Sequence, residues 1–292
     1  MLNTKTQLIG LKADKFRHPL DLEATTSLRR LPGLDLLVRN LMSGVGEEFL
    51  YLNNIAASVL VGEQQLPHIH KLLIEACQIL DLEVPQLYLK QNPAPNAYTM
   101  AVRGKNPFIV IHTSLVDLLT PAELQAVIAH ELGHLKCEHG VYLTLANLIV
   151  LATGGLVPGV GAAIAQNLQS QMLQWLRCAE FSCDRAALLV SQDPKTVISV
   201  LMKLSGGSPL LAPLLNVDAF LAQARAYQDT SRTDFGKMLK SSQTEQLSHP
   251  VPVLRAYEID RWSQTDNYQF LLKNPTTCYD KETMNKGDWR NW

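Results

Sequence analysis

The segment His130-Glu131-Leu132-Gly133-His134 constrains this chain more than any other part of its sequence. Apolar residues around it keep helical spacing. Residues four apart on a helix share one face, so both imidazoles point the same way. Two converging imidazole nitrogens can bind one zinc ion, and the Glu131 carboxylate at the flank can accept a proton from a metal-bound water. The segment therefore predicts one Zn²⁺ site per chain, built on a helix.

The helix that contains this segment has its own start signal. Thr120 suits the N-cap, Pro121 suits the first helical position, and Glu123 completes a capping box. This stretch is therefore predicted to be helical whether or not it binds a metal. The alternative is a buried helix with two hydrogen-bonded histidines. It is disfavoured because two histidines and a glutamate are costly to bury on an apolar helix.

A catalytic zinc site usually takes three protein ligands and leaves the fourth position to water. His139 lies five residues past His134, which turns it away from the ligand face, so we interpret it as a surface residue or a support for a ligand. Glu180 and Asp184 are four apart on a later helical pattern. Glu180 can bind zinc while Asp184 orients a ligand histidine through its free ring N–H. From spacing alone, a solvated acidic pair on an amphipathic helix is an equal alternative.

Three short segments rich in β-branched and aromatic residues lie at 86–90, 97–102 and 108–112. Pro, Gly and Asn separate them, which is typical of short strands. They predict a small antiparallel sheet beside the metal-binding helix. Helices are predicted at 20–30, 66–82 and 217–227 and after Pro194 and Pro252. The expected fold class is therefore α+β and mostly helical.

The two patterns H-E-x-x-H at 130–134 and E-x-x-x-D at 180–184 together resemble the zinc endopeptidases related to HtpX and the CAAX prenyl proteases, a branch of the gluzincins. Asn96-Ala97-Tyr98 resembles that family's strand beside the cleft. Ser248-His249-Pro250, followed by Arg255, resembles its later His-Pro…Arg motif. The chain looks closest to the soluble-looking members from cyanobacteria and plastids. The resemblance implies a zincin-type metalloprotease fold.

The same resemblance implies roles for the residues at the metal. His130, His134 and Glu180 would hold the zinc ion. Glu131 would be the general base, and Asp184 would orient one of the ligand histidines.

It also implies roles for residues around the cleft. His249 would help to stabilise the oxyanion, and Arg255 nearby would be a substrate-binding residue together with Asn96 and Ala97. The strand around Asn96 and Ala97 would pair with an extended substrate backbone through main-chain hydrogen bonds.

Three regions are predicted along the chain. Residues 1–60 form an N-terminal helical extension, 61–265 the zinc metallopeptidase domain, and 266–292 a C-terminal tail. The boundaries follow the extent of the resemblance.

No Asp, Glu, Lys or Arg occurs between residues 140 and 176. A single membrane span here would separate His130 from Glu180, although both must reach one ion. A helical hairpin over 141–176 is predicted instead, and it is short for two spans of about 20 residues each. Three alternatives stay open for it: packing within the protein or over the cleft, peripheral membrane contact through 141–165, or a dimer contact.

Composition excludes several classes of protein. A net charge of −1 leaves no broad basic field, so no nucleic-acid partner is expected. Five scattered cysteines are typical of a reducing compartment, and the polar N-terminus lacks the apolar core of a secretion signal. The expected location is cytoplasmic or stromal, with peripheral membrane association as an alternative, and not secreted.

The predicted function is a zinc metalloendopeptidase that acts on protein or peptide substrates, with quality control or turnover of membrane proteins as a candidate role. One alternative is a catalytically silent, zinc-stabilised scaffold associated with a membrane. The intact Glu131 disfavours it. Another is a protease specific for prenylated proteins, which the lack of several long apolar spans disfavours. No oligomeric state is predicted.

Overall fold

The computed structural model describes residues 5–30, 51–52, 54–100, 107–140, 142–143, 162–230 and 249–274. Most of this part of the chain is helical, which confirms the predicted α+β class with its helical majority. The helices are α1 (Pro19–Arg29), α2 (Pro67–Leu80), α3 (Thr113–Leu118), α4 (Pro121–Lys136), α5 (Ala162–Ser191), α6 (Pro194–Gly206), α7 (Val217–Thr230), α8 (Pro252–Ser263) and α9 (Asp266–Lys273). The strands are β1 (Val59–Leu60), β2 (Gln86–Lys90), β3 (Ala97–Met100) and β4 (Phe108–His112).

Several helices begin where the sequence predicted a start. Proline stands in the first turn of α1, α2, α4, α6 and α8, where its fixed φ suits the helix and its missing N–H is not needed. At α4, Thr120 Oγ1 accepts a hydrogen bond from the Glu123 N–H, and the Glu123 carboxylate accepts one from the Thr120 N–H at 2.8 Å. The predicted capping box is therefore confirmed.

The four strands form one sheet in the order β1-β2-β4-β3. β1 pairs antiparallel with β2, and β3 pairs antiparallel with β4. β4 lies between β2 and β3 and runs parallel to β2. The prediction of a wholly antiparallel sheet is wrong for this pair. The sequence indicated a chain reversal between successive strands but not which strand would lie in the middle.

Helices α4 and α5 cross in close contact, and the crossing point is Gly133. A Cβ atom placed on Gly133 would lie 2.9 Å from the Cα of Cys183 and 2.9 Å from the Cβ of Ala186. The missing side chain therefore lets the two backbones approach one another. The H-E-x-x-H residues of α4 and the E-x-x-x-D residues of α5 meet on either side of this contact.

Residues 5–30 pack into the same apolar core as α4 and α5. Leu8, Leu11 and Phe16 are buried members of that core. The Leu8 N–H donates to the Ile79 carbonyl at 3.0 Å, and the Gln192 side chain bonds both backbone groups of Thr6. The predicted domain boundaries near residues 60 and 265 stay a prediction.

The predicted hairpin over 141–176 lies mostly outside the described residues, which resume at Ala162. From there α5 continues without a break to Ser191, so the last part of the uncharged stretch belongs to the helix that contains Glu180. Within the described ranges, no helix is both long enough and apolar enough to cross a membrane. Peripheral contact through 141–165 stays a prediction.

Candidate metal centre and active site

His130 and His134 on α4 face Glu180 on α5 through their Nε2 atoms. The His130 Nε2 lies 3.2 Å from Glu180 Oε2, and the His134 Nε2 lies 3.4 Å from Glu180 Oε1. The two rings are nearly perpendicular, with centroids 5.4 Å apart. The structure thus brings together the three residues that the sequence predicted as metal ligands.

The burial and hydrogen bonding of the Glu180 carboxylate favour a cation between it and the two imidazoles. Glu180 is buried, and its Oε2 has no hydrogen-bond partner among the described residues, although ring nitrogen and guanidinium atoms lie near it. A buried carboxylate oxygen without a hydrogen bond is costly. A metal ion between this oxygen and the two Nε2 atoms would satisfy it. Two imidazoles and one carboxylate are also a ligand set that zinc commonly takes in catalytic sites.

Cys183 is a competing ligand because its sulfur lies within 4.8 Å of ring nitrogens of His130 and His134. Burial raises the pKa of its thiol well above the usual range, so the sulfur is protonated at neutral pH. The sulfur also contacts His139 Nδ1 at 3.8 Å, and His139 lies on the Nδ1 side of His134. Because Glu180 lies on the Nε2 side and is an anion, it fits the metal better.

Asp184 and Arg255 support the ligands from α5 and α8. The Asp184 Oδ1 lies 3.2 Å from His130 Nδ1, which leaves Nε2 of that ring free to face Glu180. Arg255 donates to both oxygens of Asp184, from Nε at 2.9 Å and from Nη2 at 2.6 Å. Its Nη1 lies 3.2 Å from Glu180 Oε2. The guanidinium is thus directed at two carboxylates. This arrangement indicates that Arg255 holds the predicted ligands in place, and it does not favour the predicted contact with substrate.

Two carboxylates, those of Glu180 and Asp184, lie against the ring of His130. Although burial opposes charge on this ring, Glu180 and Asp184 raise its pKa to about 10 in the metal-free chain. The pKa of Glu180 is held well below its usual range, since His249, His130 and Arg255 outweigh its burial. A divalent cation bound here would take the place of the proton on the His130 ring, so metal binding should release that proton.

Glu131 lies beside the metal ligands and is oriented by the sheet. The Thr99 hydroxyl on β3 lies 2.7 Å from Glu131 Oε2 and also contacts the Glu131 carbonyl at 3.1 Å. Thr99 is not among the site residues predicted from the sequence. Strand alternation was the available signal, because Thr99 shares a face with Ala97, which was predicted to line the cleft.

A cleft of about 400 Å³ opens onto these residues. Asn96, Ala97 and His249 are among the residues that line it. The His249 Nε2 lies 3.7 Å from Glu180 Oε1, and its side chain is 59% exposed. Ser248 lies outside the described residues. The remaining wall is largely apolar and comes from α4 and α6, including Val127, Val197, Val200, Leu201 and Leu204.

His139 is fully buried, so the surface interpretation is wrong for it. Its Nδ1 lies 3.2 Å from Nδ1 of His134. The residue therefore supports a predicted ligand, which was the other interpretation.

Two histidines and a glutamate around a metal position, with a second glutamate beside an open cleft, define a metallopeptidase site. The chain belongs to peptidase family M48, whose family profile matches residues 63–263. This confirms the resemblance to the HtpX family.

The curated relatives agree with this assignment. The chain is 57% identical over 263 residues, 90% of its own length and 76% of the relative's, to the protein named plastoglobule-localized metallopeptidase 48, chloroplastic, from Arabidopsis thaliana. It is 30% identical over 170 residues to protease HtpX homolog 2 of Methanosarcina acetivorans, which covers 50% of this chain and 58% of that protein. It is 25% identical over 234 residues to the protease HtpX homolog of Ralstonia pickettii, covering 71% and 78%. No solved structure matches the chain significantly.

Proposed function

We propose that the chain is a zinc-dependent endopeptidase that cleaves extended segments of protein substrates. The observation that supports this most is the position of Glu131. It lies next to the residues that face the metal position and borders the cleft, where Thr99 orients its carboxylate. His130, His134 and Glu180 would hold zinc, which supplies a nucleophilic water at neutral pH and polarises the scissile carbonyl.

In this mechanism Glu131 accepts the proton of the attacking water and then passes it to the leaving amine. The Thr99 hydroxyl bonds Oε2, which leaves Oε1 for the proton. His249 reaches over the cleft and donates a hydrogen bond to the developing oxyanion, where such a donor stabilises the transition state. β3 lies at the edge of the sheet, so its outer side can bond an extended substrate backbone.

The wall of the cleft indicates the substrate side chain. Because the wall from α4 and α6 is apolar, it favours an apolar residue next to the scissile bond.

The proposed location is cytoplasmic or stromal with peripheral membrane or lipid contact through residues 141–165. Support comes from the uncharged sequence of 140–176 and from the name of the Arabidopsis relative, which places that protein on plastoglobules. Turnover of membrane-associated proteins is the role that fits such a location.

Deletion of residues 154–159 should release the chain from lipid vesicles in a flotation assay. Unchanged flotation would contradict this contact.

Hydrolysis of casein by the zinc-loaded wild type and by Glu131→Gln tests the activity. We expect the wild type to cleave casein and the variant to bind zinc equally but lose at least about 100-fold in kcat. If both bind zinc and neither cleaves, the chain is a zinc-stabilised scaffold and the proposed activity is wrong.

A further inference from the structure

A buried polar cluster joins the N-terminal segment to the metal centre. At its middle lies Asp21 on α1, whose side chain is completely buried. Five donors reach its carboxylate: Arg17 Nε at 2.8 Å, Arg17 Nη2 at 3.1 Å, the Thr25 hydroxyl at 3.0 Å, the Ser182 hydroxyl at 2.6 Å and His139 Nε2 at 3.1 Å. Two of these donors, Ser182 and His139, come from the part of the chain that forms the metal centre, so Asp21 connects α1 to that centre.

The turn after α4 brings His139 to this cluster. Glu138 has a left-handed backbone with φ of 58°. The N–H of His139 donates to the His134 carbonyl at 2.9 Å, and that of Glu138 donates to the Leu135 carbonyl at 3.1 Å. These two bonds define a Schellman motif, which folds the chain back over the last helical turn. The ring of His139 therefore lies between Asp21 and the ring of His134.

The network assigns the ring hydrogens. Both hydrogens of Arg17 Nη2 are used, because this nitrogen donates to Asp21 Oδ1 and to Thr25 Oγ1 at 2.9 Å. It therefore has no hydrogen left for His139 Nε2, which lies 3.3 Å away. His139 Nε2 must itself carry a hydrogen and donate it to Asp21. Its Nδ1 then accepts the hydrogen of His134 Nδ1, and the lone pair of His134 Nε2 points at the metal position.

The charges agree with this assignment. Arg17 already supplies the counter-charge of Asp21, so a second positive charge on the fully buried ring of His139 would lack a partner of its own. Despite its burial, the pKa of Asp21 is strongly lowered by His139 and Arg17, so it is an anion and only accepts hydrogen bonds.

A second metal ion is disfavoured here. Ligand atoms of Asp21, Cys137 and His139 lie within 4.8 Å of one another. However, the Arg17 guanidinium already neutralises Asp21, and burial raises the pKa of the Cys137 thiol far above its usual range. The cluster is therefore a hydrogen-bond network and not an ion site.

We propose that Asp21 is a positioning residue for the metal. Through His139 it holds His134 in the Nδ1–H form and in the orientation that presents Nε2 to the ion. The N-terminal segment 17–25 is then part of the metal centre, although it lies outside the family match at 63–263. This inference rests on the zinc site of the proposed function and on no step of peptide hydrolysis.

Zinc affinity tests the proposal, measured on the full chain by competition with a chromophoric chelator. Asp21→Asn should weaken zinc binding roughly 10- to 100-fold, the usual loss when a partner of a ligand histidine is removed. The matched control is Glu123→Gln. This buried carboxylate begins the same metal-binding helix and is paired with Lys203 at 2.6 Å, but it lies away from the network. It should destabilise the fold and leave the zinc affinity unchanged.

The outcomes separate the two proposals. Equal zinc affinity of the wild type and Asp21→Asn overturns the positioning role while leaving the peptidase intact. Equal losses in Asp21→Asn and Glu123→Gln also overturn it, because they indicate general destabilisation. A wild type that binds no zinc overturns both.

A second measurement needs no variant and covers the case in which Asp21→Asn does not fold. Proton–nitrogen NMR of the zinc-loaded wild type, labelled at its eight histidines, reports which ring nitrogen carries hydrogen. We expect the hydrogen of His139 on Nε2 and a bare Nδ1. A hydrogen on Nδ1 of His139 would overturn the proposal.

Discussion

The hydroxyl of Thr99 lies 2.7 Å from Oε2 of Glu131, so the edge strand of the sheet orients a side chain of the metal-binding helix. The same strand contains Ala97, which lines the cleft. Substrate that pairs with β3 would therefore be aligned by the same element that fixes the proposed general base. In the proposed mechanism, binding of the substrate backbone and proton transfer would thus depend on the same short strand.

Thr99→Val tests this coupling, because valine keeps the shape of threonine and removes the hydroxyl. We expect kcat on casein to fall roughly 10- to 100-fold, since a mispositioned base transfers protons poorly. Zinc content should stay at the wild-type value. Thr99→Ser restores the hydroxyl and should recover most of kcat. Equal activity of the valine and serine variants would show that the hydrogen bond does not matter.

Arg255→Met should destabilise the zinc-free chain by about 3–5 kcal/mol, because it removes the buried guanidinium that pairs with both Glu180 and Asp184. Zinc should recover part of this loss, since the ion supplies positive charge next to Glu180. Urea unfolding with and without a chelator measures both effects.

The control is Arg225→Met on α7, which removes an arginine from Asp260 in an ion pair whose arginine is mostly exposed. This change should cost less than about 1 kcal/mol. A similar cost for both arginines would contradict the role assigned to Arg255.

Gly133→Ala tests the close crossing of α4 and α5. The new methyl group would meet the backbone of Cys183 at 2.9 Å, which a side-chain rotation cannot relieve. We expect a loss of about 1–3 kcal/mol in the free energy of unfolding and weaker zinc binding, because the two helices that supply the ligands must move apart. Gly206→Ala at the end of α6 is the control. No atom lies within 4 Å of its added Cβ, so stability should be unchanged or slightly higher.

Leu204→Asp tests the apolar wall of the cleft. Leu204 lines the cleft and is 40% exposed, so the substitution should hardly affect folding. We expect kcat/KM for peptides with an apolar residue beside the scissile bond to fall roughly 10-fold. Leu214→Asp places the same charge at a residue that is 79% exposed and lies outside the cleft lining, and it should leave kcat/KM unchanged. An equal effect of both changes would point to charge repulsion at long range.

The features of the site that depend on the spacing of nearby residues could be predicted from the sequence. One helix contains His130, Glu131 and His134, and its capping residues Thr120 and Glu123 lie in the same short segment. The structure contains this capped helix. Glu180 and Asp184 were ambiguous by spacing, and only their position opposite α4 separates ligand geometry from a solvated acidic pair.

Thr99 and Asp21 could not be predicted, because their partners lie 32 and 118 residues away. Nothing in a local pattern states which strand face meets which helix. The mixed sheet could not be predicted for the same reason, because the position of β4 between β2 and β3 depends on the whole fold.

The contact between Asp21 and His139 also sets an order of events during synthesis. Asp21 is synthesised before its partner, and its carboxylate cannot bond the His139 imidazole until a further 118 residues have been made. Ser182 and Glu180 emerge later still. Contacts of such large sequence separation form late and slowly. A nascent chain is therefore expected to stay without a complete metal site until α5, which contains Glu180, has emerged.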